Sequence, residues 1–227
     1  MVCLANSFKI GGSCIAGKEK LATCYGEWIR PVSARETCEV WAEECRLRNG
    51  GMPEPLDIID VPLLGAVPRQ HQTENYLIDP ARQWAKVGVL PRSELRQLCD
   101  HPPSLWTNGC HTRSGGTNNC IGSDQAAALG NSLLLIEPEN FVLEVGVQER
   151  QSRPIRRIAA HFNYLSEYYA LCVTDPNIVK AYRDAEEEDC PLEGVYLCVS
   201  LTEPYEKDGR CHKVVATVFL RDNKSGR

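Results

Sequence analysis

Gly26-Glu27-Trp28-Ile29-Arg30-Pro31-Val32-Ser33 is the stretch on which the reading of this chain turns. Successive side chains of a β-strand point to opposite faces, so here Trp28 and Arg30 share one face while Glu27 and Ile29 share the other. An indole beside a guanidinium makes a platform for a flat anionic ligand such as a nucleotide. The same pair serves equally as a core tryptophan beside an arginine paired to a carboxylate. Both readings require a strand.

Upstream of this stretch, the apolar runs at 2–5 and 14–16 flank Gly11-Gly12, the pattern of two strands and a flexible corner. Gly12, Gly17 and Lys18 have phosphate-loop spacing, but Glu19 stands where Ser or Thr would be needed, so this is no Walker A motif. Downstream, 34–49 places Glu36, Glu39, Glu43 and Glu44 ahead of Arg46 and Arg48, with Gly50-Gly51 as a stop, and predicts a short helix. Residues 56–63 read as a strand that Pro62 confines to an edge or to its own end. A helix is expected over 91–100, with Leu95 and Leu98 on one face, and another from Asp175-Pro176 towards 188. Strands are expected at 132–136, 141–147, 155–162, 168–174, 196–201 and 212–220. Between the two groups, 107–123 is rich in Thr, Asn, Gly, Ser and Cys and reads as a loop too polar to bury, a boundary or a lid. Many short strands with few helices predict a mainly β protein of small barrels or sandwiches, although no internal sequence repeat is legible.

Composition narrows the function classes. With 25 Lys and Arg against 30 Asp and Glu, the net charge of −5 excludes binding to nucleic acid by bulk electrostatics and requires a local basic patch. The excess at Arg150, Arg153, Arg156 and Arg157 is that patch, or else a solvated basic loop. Twelve cysteines contain no CxxC pair, and the first residues lack a basic leader with an apolar run, so reduced, buried thiols in the cytoplasm are expected. No window reaches the roughly 18 apolar residues of a membrane span.

Cys99, His101, Cys110, His111 and Cys120 are the candidates for a metal site, with zinc the one cofactor to consider. Their pairs are too close for the usual knuckle spacing. Asp57, Asp60, Asp79 and Asp175 could meet around Mg²⁺ only if the fold brought them together. No HExxH, GxSxG or GxGxxG is present, and Cys110-His111 and Cys211-His212 are merely adjacent, so no catalytic residue is assigned.

Cys14-Ile15-Ala16-Gly17-Lys18, Trp28 to Ser33, Glu74-Asn75-Tyr76-Leu77-Ile78-Asp79, Pro103-Ser104-Leu105-Trp106, Val173-Thr174-Asp175-Pro176 and Leu197-Cys198-Val199-Ser200-Leu201-Thr202-Glu203-Pro204 fall in one order along the chain. In these motifs, from residue 3 to about 220, the chain resembles the bacterial dual OB domain-containing family. The Cys- and His-bearing stretch 107–123 is richer than that pattern. The resemblance implies a mainly β protein with a few short helices, two OB-like small barrels packed as one unit. The corresponding division is 1–106 for the first barrel with inserted helices, 107–131 for a connecting loop, and 132–227 for the second barrel.

The resemblance implies a nucleic-acid or nucleotide binding module without catalysis of its own, in a bacterial defence or repair system. The alternatives are a metal-dependent nuclease or nucleotide-processing enzyme and a protein-interaction subunit of a multi-component system. OB-like barrels bind strands across a basic, aromatic face. The expected site residues are Lys18, Trp28, Arg30 and Ser33 in the first half and Arg153, Arg156, Arg157, Phe162, Tyr164 and Tyr168 in the second. Single-stranded nucleic acid or a nucleotide is the expected partner.

Overall fold

Strand β1 (Val2–Lys9) reverses at Gly11, whose φ of +82° suits glycine, into β2 (Gly12–Lys20), and β2 pairs antiparallel with β3 (Tyr25–Val32). The structure, a computed structural model, describes residues 1–9, 11–112, 115–148, 155–182 and 188–220. After β3 the chain forms one turn of helix, α1 (Ala42–Cys45), and then β4 (Asp57–Asp60) and β5 (Leu63–Ala66). These two are one strand broken at Val61-Pro62, where proline cannot donate to a ladder. Strands β6 (Asn75–Ile78) and β7 (Ala85–Val89) run back along it, with Ala66 opposite Tyr76, Leu63 opposite Ile78, Asp60 opposite Ala85 and Asp57 opposite Val89.

The ends of this sheet return to its start. Strand β4 pairs antiparallel with β1, and β6 pairs parallel with β3, so the meander of β1 to β3 curls against the broken strand and its partner. A 3-10 helix (Arg92–Leu98) follows and buries Leu95 and Leu98, three residues apart on one face as expected.

The second sheet repeats this order with a different sequence. Strands β10 (Glu139–Gln148), β11 (Ile155–Tyr164) and β12 (Glu167–Val173) form the antiparallel meander, and α3 (Pro176–Ala181) follows. The broken strand is β13 (Glu188–Pro191), which pairs with β10, followed by β14 (Tyr196–Pro204). The last strand, β15 (Arg210–Phe219), lies antiparallel to β14 and parallel to β12. Ahead of the meander come β8 (Cys120–Gly122), helix α2 (Ser123–Ala127) and β9 (Leu133–Ile136), with β8 paired to β15 and β9 at the β14 edge. Meander, helix, broken strand, and a return parallel to the third strand is therefore the plan of both sheets, the return divided into β6 and β7 in the first and continuous as β15 in the second, each sheet a curled, OB-like half-barrel.

The chain divides into two compact units: Met1–Leu98 with Ala128–Leu133, and Cys99–Ala127 with Leu134–Arg227. The first has Trp84, Ile15, Val40, Ile59 and Leu47 at its core. In the second, Phe162 stacks on Tyr169 at 5.5 Å between centroids, among Leu143, Leu171, Leu197 and Val215. Burying each such side chain contributes about 1.5 to 3 kcal/mol.

Two expectations need correction. The helix expected over 34–49 shrinks to α1, because Cys38 adopts φ +61° and Val40 pairs with Ser13. That tertiary bridge buries Val40 fully and overrides the charge pattern. The stretch 107–123 is no polar boundary but part of the second unit. Thr117 pairs with Ala170 of β12, Cys120 to Gly122 pair with β15, and Asn118, Asn119 and Cys120 are buried. Burial is tolerated because the amides are satisfied. Asn118 donates to Tyr168 O and accepts from Gly109 N, and Asn119 donates to Thr112 Oγ1 and accepts from Thr112 N.

Candidate nucleic-acid interface

In the first unit, the alternation read from 26–33 holds, and it turns the expected binding residues inward. Trp28 is 8% exposed and Arg30 3%, and Lys18 and Ser33 are buried beside them. Lys18 Nζ lies 5.4 Å from the Trp28 ring centre, and Ser33 Oγ accepts from Arg35 N. Arg30 Nη2 sits 3.2 Å from Glu74 Oε1 and donates to Ser132 Oγ at 2.9 Å, while the Ser132 hydroxyl donates to the same carboxylate. All three are within the first unit and nearly inaccessible. A buried guanidinium needs this pairing, and it cannot also meet a phosphate. The face expected from Lys18, Trp28, Arg30 and Ser33 is therefore a core feature, the second of the two readings of that stretch.

In the second unit, β11 separates its residues by parity. Ile158, Ala160, Phe162 and Tyr164 face the core, so Phe162 and Tyr164, both expected to bind, are packed inside, and Tyr164 donates to Pro102 O. Arg157, Ala159, His161 and Asn163 face outward, with Arg157 half-buried. Arg156 is the second residue of β11, opposite Val147, and Arg153 and Arg150 lie outside the described residues.

Tyr168 of β12 is 45% exposed and sits diagonally across from His161, since His161 pairs with Ala170 and Asn163 with Tyr168. The ring atoms meet: His161 Nδ1 is 2.6 Å from Tyr168 Oη, and His161 Nε2 is 2.5 Å from Glu144 Oε2 on β10. One line of hydrogen bonds thus crosses three strands. With the carboxylate accepting from Nε2–H, Nδ1 is left to accept from the phenol, which fixes the tautomer. Partial burial, and then the Glu144 carboxylate, hold the Tyr168 phenol above its ordinary value, so it remains a hydroxyl.

Sequence reasoning chose the wrong parity here. It named Phe162 and Tyr164 and passed over His161 and Glu144, although the apolar run Ile158, Ala160, Phe162 already marks the inward row. It also missed Tyr205, 48% exposed at the turn between β14 and β15, with Lys207 Nζ 5.9 Å from its ring and His212 edge-on at 5.8 Å.

Three of the five cysteine and histidine metal candidates, Cys110, His111 and Cys120, are otherwise engaged. Cys110 and Cys120 form a disulfide, against the expectation of reduced thiols, while the other ten cysteines are in no disulfide. His111 Nδ1 accepts from Asn118 N. Asp175 caps α3 through Asn177 N and Ile178 N and also accepts from Val218 N, and Asp57 pairs with Lys86 at 2.5 Å. Among the described residues, no group of three or more His, Cys, Asp or Glu converges on a point.

The family model of the dual OB-containing domain matches residues 1–218, and the chain belongs to that family. No curated protein and no solved structure matches it. Among the described residues, no helix is long and apolar enough to cross a membrane.

Proposed function

We propose that the protein binds single-stranded nucleic acid on the outer face of β10, β11 and β12 in the second unit. The observation that carries this reading is the exposed Tyr168 held against His161, on the outward row of β11 that also carries Arg157. Single strands are bound by stacking on aromatic rings beside cations that track the phosphates, and OB barrels use their second and third strands and adjoining loops. The chain linking β10 to β11 contains Arg150 and Arg153, and the β14–β15 turn adds Tyr205 and Lys207. Confining the positive charge to this segment reconciles the reading with a net charge of −5. The family resemblance supports a cytoplasmic setting in a bacterial defence or repair system.

Fluorescence anisotropy with labelled single-stranded DNA and RNA tests it. Tyr168→Ala weakens binding by roughly 5- to 100-fold, the effect of about 1 to 3 kcal/mol of stacking. Arg157→Glu weakens it and lowers the slope of log affinity on log salt by about one. Unchanged affinity and slope in both variants rule the face out.

The same hydrogen-bond line favours a second reading. A hydroxyl, a base and an orienting carboxylate in series are what nucleophilic catalysis requires. On that reading Tyr168 Oη attacks the phosphorus of a phosphodiester and its proton passes to His161 Nδ1, while the bond from phosphorus to the departing sugar oxygen breaks and that oxygen takes the proton back from the imidazolium to leave as a hydroxyl. A labelled strand then stays attached to the protein through denaturing electrophoresis, and Tyr168→Phe abolishes the adduct. If no adduct forms, binding alone stands.

A further inference from the structure

The outer face of the first unit has the opposite chemistry. Glu19, Glu27, Ile29, Leu63, Leu64, Gly65 and Tyr76 line an open groove of about 400 Å³ across four neighbouring strands, β2, β3, β6 and β5. Its two ends differ. Leu63, Leu64 and Tyr76 make an apolar end, in which Leu64 is 62% exposed, whereas Glu19 and Glu27 make an acidic end.

The acidic end is built by a β-bulge. Lys18 pairs with Trp28 and Lys20 with Tyr25, so Glu19 alone opposes Gly26 and Glu27. A Cβ at Gly26 would come within 2.5 Å of Glu19 Oε2, so the absent side chain is what lets that carboxylate lie across β3 towards Glu27. Like charges facing each other across strands are destabilising. Among the described residues, neither carboxylate has an ion-pair partner. Lys18 is buried over Trp28, and Lys20 lies over Tyr25 at 4.8 Å. The Met1 ammonium, which feels Glu19, is bonded to Ile59 O and is nearer in influence to Asp60.

We propose that this groove docks an extended peptide of a partner protein, one that carries a Lys or Arg and, two residues on, an aliphatic residue. Charge complementarity selects the cation, because two facing carboxylates without a counter-ion are relieved by one. The apolar end selects the neighbour, since side chains two apart on an extended chain share a face about 6.5 to 7 Å apart. A basic side chain then reaches Glu19 and Glu27 while the next on that face covers Leu64 and Tyr76. A nucleic-acid strand is repelled here. One unit thus takes a polyanion and the other a polycation, and the second proposal stands independently of the first.

The probe is a fluorescein-labelled peptide of repeated Lys-Ser-Val-Ser, which sets Lys and Val two apart on one face, with repeated Glu-Ser-Val-Ser as control, titrated with the full chain. The basic peptide binds and the acidic one does not. Glu19→Gln with Glu27→Gln, and separately Leu64→Asp, weaken the basic peptide at least tenfold, while Tyr168→Ala leaves it unchanged. The Glu19→Gln, Glu27→Gln chain melts no lower than the parent, because the substitutions remove a repulsion rather than a contact. Equal binding of the two peptides, no binding of the basic one, or full affinity in the double variant overturns the proposal. So does a lowered melting temperature, which would make the carboxylate pair structural. Displacement by spermidine at the peptide's own affinity overturns it in favour of a small polycation.

Discussion

Lys213 shows how far one residue's surroundings can move it from its ordinary chemistry. It is 1% exposed in β15, and its Nζ donates to Thr107 O at 2.8 Å and to Asn108 Oδ1 at 3.0 Å, with the Tyr169 ring centre 5.3 Å away. Among the described residues no carboxylate pairs with it, and burial, against a smaller upward pull from Glu167, pushes its ammonium down to about 7. The unfolded chain keeps this lysine protonated up to about pH 10.4. Between pH 7 and that value the unfolded state holds the extra proton, so this group makes the native state more stable as pH rises. Below pH 7 its penalty is constant. Buried thiols such as Cys211, pushed up to about 11, act in the opposite sense, losing stability as pH passes the ordinary thiol value. The expected result in Lys213→Met is a melting temperature that climbs less between pH 7 and 8.5 than in the parent, read by calorimetry at matched ionic strength. Parallel curves would mean that the lysine stays charged where it lies.

At the scale of elements, the segment 107–122 is where composition misled. Gly, Asn and Thr suggested a solvated loop, but Thr117 to Gly122 take up the edges that β12 and β15 leave to each other, and Lys213 N donates to Asn119 O. Composition cannot disclose such a partner, since β12 and β15 and the Tyr168 carbonyl that accepts from Asn118 lie far along the chain, even though Gly109 and Thr112, which complete the bonds of Asn118 and Asn119, are near. The strands were legible because alternation survives any partner, as Trp28, Arg30 and Val32 against Glu27 and Ile29 demonstrate. Which alternating face meets solvent is legible only where apolar residues recur at every second position, as at Ile158, Ala160 and Phe162, and the choice of Phe162 over His161 weighs aromatic character above that pattern. The bridge Cys110–Cys120, separated by 10 residues, closes the inserted segment upon itself. Loop-closure entropy assigns such a bridge about 2 to 3 kcal/mol. Dithiothreitol should accordingly lower the urea midpoint of the parent and leave that of Cys110→Ser unmoved. A parent indifferent to reductant would place the bridge outside the solution state.

For the molecule as a whole, the doubled plan of meander, helix, broken strand and parallel return was invisible as a sequence repeat, because the topology asks only for alternation and for breaks. Pro62 supplies the break in one sheet, and 192–195 in the other. The boundary between units is not a single cut. Ala128–Leu133 belongs with Met1–Leu98, and there Ser132 completes the Arg30–Glu74 pair while Gly130 O accepts from Thr73 Oγ1. Division at the compositional change near 107 would separate the first sheet from both. A fragment of residues 1–98 keeps every strand of the first sheet but leaves a buried guanidinium and carboxylate one hydroxyl short. An unsatisfied buried group costs about 1 to 3 kcal/mol, more when charged, against a total stability of about 5 to 15 kcal/mol. Trp28 and Trp84, both buried in this unit, report its unfolding by fluorescence. The fragment should melt well below the tryptophan transition of the intact chain, and Ser132→Ala in the intact chain should reproduce part of the loss. A fragment as stable as the unit it came from would show that 128–133 merely lies against the first sheet and contributes nothing to holding its ion pair.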